Sequence, residues 1–144
     1  MILDAHCLFS SAQAVTADAA STNYIDLGSA QNIFDGEPLA VVLQIDVAAD
    51  GTTTDETYSF KIECDDNTSF SSATALVTQA ITYGNLTAGS THILPIPVGA
   101  AVERYLRVYY DVGGTSPSVT LTAFLQPLNM VQKYKSYADG ITIS

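Results

Sequence analysis

The chain has 144 residues, 47% of them hydrophobic, which suits one domain with its own core and is too apolar for a disordered polymer. Fifteen Asp and Glu oppose five Lys and Arg, giving a formal net charge of -10, and no basic residue precedes Lys61. A phosphate backbone would be repelled by such a chain, and no apolar run is long enough for a membrane span, so neither nucleic acid nor membrane is expected as a partner.

Residues 1–20 open with Ile2, Leu3, Leu8 and Phe9 and continue in Ala, Ser and Gln without a sustained period. They read as an N-terminal arm. The start carries no basic segment and no uninterrupted apolar stretch, so it does not read as a signal peptide, and synthesis in the cytoplasm is expected. From residue 21 the apolar period is two almost throughout. Asn23–Leu27 is a short strand candidate. Leu39–Val47 is apolar on both parities, as a strand covered on both faces would be. In Glu56–Asp65, Tyr58, Phe60, Ile62 and Cys64 alternate with polar residues, the pattern of a half-buried strand. Ala75–Thr82 and Thr91–Val98 follow. The second carries Pro95 and Pro97, which lack ladder donors on the same side and therefore predict a sheet edge. Ala101–Val112 and Ser118–Gln126 complete the set, and Gly, Asn, Asp and Pro punctuate the gaps.

Seven to eight short strands predict an all-β fold, an antiparallel jelly roll or β-sandwich with extended N- and C-terminal arms. The chain divides as a single domain, with the arm at 1–20, the sandwich at 21–127 and a tail at 128–144. Leu39, Val41, Leu43, Ile45, Phe60, Ile62, Leu106, Val108, Leu121 and Leu125 are the expected core.

Residues able to carry chemistry are scarce. His6 and His92 are the only imidazoles, and no acid lies near His92 in sequence, so neither a catalytic triad nor an enzyme is expected. Cys7 and Cys64 have neither redox nor metal-ligand spacing and read as small apolar residues. The run Asp65-Asp66-Asn67-Thr68-Ser69 begins like a calcium loop, but Phe70 stands where such loops need Gly and no Glu closes it. No metal or cofactor is expected. Tyr105 and Tyr109 share one strand face with Arg107 between them, a composition that either stiffens a sheet surface or anchors an interface.

Several segments in order resemble the capsid cement proteins of tailed bacteriophages, the family typified by a Bordetella podophage. They are Met1-Ile2-Leu3-Asp4-Ala5, Leu8-Phe9-Ser10, Ser21-Thr22-Asn23-Tyr24-Ile25-Asp26-Leu27-Gly28, Gly36-Glu37-Pro38-Leu39, Leu94-Pro95-Ile96-Pro97, Arg104-Tyr105-Leu106-Arg107-Val108-Tyr109-Tyr110 and Gly114-Thr115-Ser116-Pro117. The resemblance covers about residues 1–127. It implies a jelly-roll virion protein on the outer surface of the capsid, bound to the major capsid protein and tying capsomers together. It also implies self-association, as a dimer rather than a trimer. The candidate interface residues are Ile2, Leu3, Leu8, Phe9, Tyr105, Arg107, Tyr109, Tyr134 and Tyr137. The alternative is a carbohydrate-binding β-sandwich on a phage particle, against which the absence of Trp counts.

Overall fold

The computed structural model describes residues 4–30 and 38–131. Its strands are β1 (Leu8–Val15), β2 (Ala19–Ala20), β3 (Ile25–Asp26), β4 (Leu39–Val47), β5 (Thr57–Asp65), β6 (Thr74–Ala80), β7 (Thr91–Pro95), β8 (Tyr105–Gly113) and β9 (Val119–Pro127). A single helical turn, α1, covers Leu128–Val131. One sheet has the order β1-β9-β4-β7 and the other β2-β8-β5-β6, with β3 also on β8. All pairings are antiparallel. The pairs β1–β9, β2/β3–β8, β4–β7 and β5–β6 nest inside one another along the chain. A long hairpin rolled onto itself gives this arrangement, so the fold is a jelly roll. Strands β2 and β3 meet β8 at different points, Ala19 and Ala20 against Tyr110 and Tyr109, Ile25 and Asp26 against Leu106 and Tyr105. They act as one interrupted strand.

The core lies between the sheets. Val41, Leu43, Ile45, Phe60, Ile62, Leu106, Val108 and Leu121 are buried, as their parity predicts, while Leu39 and Leu125 are only partly covered. Strand β4 is covered on its second face too, because Val42 packs with Phe124 of β9, joined by Leu8 and Ile93. Tyr58 points its ring into the core and its hydroxyl out of one end. There it donates toward the carbonyls of Asp50 and Ser118 and accepts the Ser118 N–H, tying two loops together. Pro95 ends β7, which lies at the edge of its sheet as expected.

The arm at residues 1–20 requires correction, because Leu8–Val15 forms β1 and Ala19–Ala20 forms β2. Phe9 and Val15 belong to the core, Phe9 at 0% exposure. Leu8 lies opposite Phe124 and Ser10 opposite Ala123, and the register then slips before Gln13 pairs with Leu121. Ala12 adopts φ 46° at that slip. Two bulges thus erase the period of two that would have marked a strand. Ser10 is fully buried, and its hydroxyl donates to Gln13 Oε1 at 2.6 Å and bonds the Tyr110 hydroxyl at 2.6 Å. Burial pushes the Tyr110 phenol well above its ordinary pKa despite that bond.

Candidate interaction surface

Alternation along β8 buries Leu106, Val108, Tyr110 and Val112 and turns Tyr105, Arg107, Tyr109 and Asp111 to the outer face. Strand β5 runs alongside in a register that sets Glu63 opposite Arg107 and Lys61 opposite Tyr109. The guanidinium of Arg107 reaches Glu63 Oε2 through Nε at 2.9 Å and through a terminal nitrogen at 2.8 Å. Lys61 Nζ donates to Asp111 at 2.7 Å. Arg104, just before β8, grips both oxygens of Asp26 at 2.8 and 3.0 Å. That Arg104 fork, with the Gly28 N–H, holds the Asp26 carboxyl below the usual carboxylate range.

Aromatic rings fill the spaces between these pairs. Arg107 lies over Phe70 at 4.2 Å and over Tyr109 at 5.2 Å, Arg104 over Tyr105 at 5.0 Å and Lys61 over Tyr109 at 5.8 Å. Tyr24, 48% exposed, meets Phe70 and Tyr105 edge-on with centroids 6.2 and 5.6 Å apart. An exposed cation over a ring, as Arg104 is over Tyr105, contributes about 0.5–1 kcal/mol. The face is therefore stiff as well as aromatic. It also holds every Lys and Arg among the described residues, each matched by an acid, so it is electrically balanced on a strongly acidic molecule.

The structure brings together Tyr105, Arg107 and Tyr109 and adds residues the sequence reading did not single out: Tyr24, Lys61, Glu63, Phe70 and Arg104. The polar parity of β5 was the available signal, since Lys61 and Glu63 run opposite in charge to Asp111 and Arg107 across the ladder. Leu8 and Phe9 do not join this face. Ile2, Leu3, Tyr134 and Tyr137 lie outside the described residues.

Elsewhere the polar residues serve the fold. Asp65 is fully buried at the end of β5. Its carboxylate accepts N–H bonds from Asp66, Asn67 and Ser72 at 2.6, 3.3 and 2.9 Å, which makes it the cap of the loop rather than a free ligand. Burial alone would raise its pKa, but the N–H donors of Ser72, Asp66 and Asn67 outweigh it and leave the group below its ordinary 3.8. A carboxylate depressed in the folded state stabilises above its unfolded pKa and loses that contribution as pH falls through the folded value. The melting temperature should thus be level from pH 7 to about 5 and fall below about 4, while Asp65→Asn should melt lower at pH 7 and lose its deficit in acid. A deficit that stays constant down to pH 2 would contradict this role. His92 Nε2 contacts the Asn85 carbonyl at 3.0 Å and Ser90 Oγ at 3.3 Å, while Ser90 donates its proton to the Thr87 carbonyl at 2.6 Å. The Thr87 and Asn85 carbonyls thus compete with the imidazole for the serine proton. Cys7 and Cys64 are free thiols, and burial raises the pKa of both.

Among protein families, the one described as Bbp16 matches residues 9–125, from within β1 into β9. No curated protein matches the chain.

Proposed function

The chain belongs to the Bbp16 family, and from that membership we propose that it is a capsid cement protein, a non-catalytic jelly roll that binds the outside of a phage head and ties neighbouring capsomers together. The observation that carries the reading is the extent of the match, which runs from within β1 into β9 and so takes in nearly all of the rolled hairpin, together with the internal segments that resemble cement proteins. The face of Tyr24, Tyr105, Arg107 and Tyr109 is the docking surface. Its charges are already paired, so a partner covers rings and short ion pairs without facing the repulsion that the remaining acids would exert. Tyr and Arg are also the residues that anchor interfaces. Many copies on a lattice make such modest contacts sufficient.

The carbohydrate-binding alternative fits the face less well. Sugars stack on open ring faces, whereas those of Phe70, Tyr105 and Tyr109 lie under Arg107, Arg104 and Lys61.

The double variant Tyr105→Ser/Tyr109→Ser tests the surface. Both side chains are partly exposed, so the fold should persist, and co-sedimentation with undecorated heads should weaken by about tenfold or more, the scale of one or two interface anchors. Unchanged binding would remove this face from the account. His92→Ala should leave the thermal melt nearly unchanged, and the parent should show no hydrolysis for it to abolish. Ester, peptide or glycan hydrolysis by the parent that disappears in this variant would overturn the non-catalytic reading.

A further inference from the structure

Four strand edges bound the two sheets, and three of them are blunted against further pairing. Strand β1 is bulged twice, and the Ala12 N–H at the slip is held by Thr122 Oγ1 at 3.0 Å. Strand β7 ends in Pro95, with Pro97 two residues on. Strands β2 and β3 have two residues each. The fourth edge, β6, runs for seven residues, Thr-Ala-Leu-Val-Thr-Gln-Ala, with no Pro, Gly or charge. A single bulge interrupts it, near its start. Among the described residues no strand covers its outer side.

Two further observations concern β6 and the chain around it. Residues 67–102 contain no Asp, Glu, Lys or Arg, in a chain that has fifteen acids elsewhere. Between the end of β6 and the start of β7 a cleft of about 440 Å³ opens, with Gln79, Ile81, His92 and Ile93 in its walls. The Ile81 N–H donates to the Tyr58 carbonyl, and the register continues from Ser59↔Ala80 to Ile62↔Val77. Alternation then turns the N–H and C=O groups of Gln79 and Val77 toward β5 and those of Thr78 and Ala80 outward.

Resting on the cement reading, we propose that the outer edge of β6 accepts an extended segment of the major capsid protein as an added strand. The Thr78 and Ala80 backbone groups supply the ladder, and alternate apolar side chains of the segment enter the cleft beside Ile81 and Ile93. The segment is uncharged or basic, because the edge offers no charge of its own and the rest of the molecule repels acids. A second copy of this chain is the weaker occupant. Its β6 exposes Thr78, Gln79 and Ala80, none of which would fill the cleft, and its other described edges are blunted.

Proline at an outward position removes the donor that an incoming strand needs and spares the ladder to β5. Thr78→Pro and Ala80→Pro, each in the full chain, should co-sediment with undecorated heads at least about tenfold more weakly than the parent. In the parent, the Thr78 and Ala80 amides should exchange with solvent at least about tenfold more slowly on heads than in free protein. Exchange decides the matter if either Pro variant melts early. Parent-like binding by both folded variants, or unprotected amides on the head, would overturn the added strand and leave the cement reading standing. Loss of self-association with head binding intact would assign the edge to a second copy and overturn the proposal. A parent that does not bind heads at all would overturn the cement reading, and the added strand with it.

Discussion

A chain lacking residues 2–12 should lose its cooperative thermal transition. The deletion takes Phe9, which is wholly buried between the sheets, and removing a buried Phe side chain alone costs about 3–5 kcal/mol. It also takes Ser10, leaving the buried Tyr110 hydroxyl without the partner it has at 2.6 Å, for about 1–3 kcal/mol more. The pairing of Leu8 with Phe124 and Ser10 with Ala123 goes as well, which uncovers the edge of β9. Domains of this size are stable by about 5–15 kcal/mol, so these two losses alone reach the lower part of that margin, and the lost strand pairing adds to them. In any fraction that still folds, the uncovered edge of β9 would promote association. Circular dichroism against temperature measures this directly. A single transition within a few degrees of the parent would show that β1 is dispensable and that residues 1–20 behave as an arm after all.

Phe60→Ala should cost about 3–5 kcal/mol, and Leu43→Ala about 2–5 kcal/mol, the larger values applying where the core does not collapse into the space. Phe60 is fully buried at the centre of β5 and meets Tyr110 edge-on, with centroids 6.1 Å apart at 76°. Leu43 is fully buried on β4 in the opposite sheet. The two changes therefore probe both walls of one core. A denaturant titration should show the midpoint falling with little change in slope. A loss under about half a kcal/mol for both would contradict the burial of these strands.

The inner strands were legible in the sequence because nothing disturbs their period. In β5 and β8 every second residue is apolar and every one of those is buried, and β4 shows its double covering in the apolar run from Leu39 to Leu43. Pro95 placed β7 at an edge through the chemistry of a single missing donor. Strand β1 was hidden for the converse reason. Phe9 and Ser10 are buried in succession and Ala12 takes a positive φ, so a bulged strand carries the local pattern of a coil. The interrupted strand β2/β3 was half hidden, with too few residues in either piece to show a period. In the interaction surface the β8 contribution could be read from one strand. Tyr24, Phe70 and Arg104 could not, because loops bring them over the sheet and a loop leaves no register to follow.

The account rests on the binding of this chain to the outside of a phage head. Heads assembled without it, mixed with the purified protein and heated, give the most direct measurement: the temperature at which they release DNA, together with the number of copies that sediment with them. The account predicts uptake that saturates at a fixed number of copies per head and a release temperature that rises in step with it. Heads that take up no protein, or that bind it and open at the same temperature as bare heads, would contradict it.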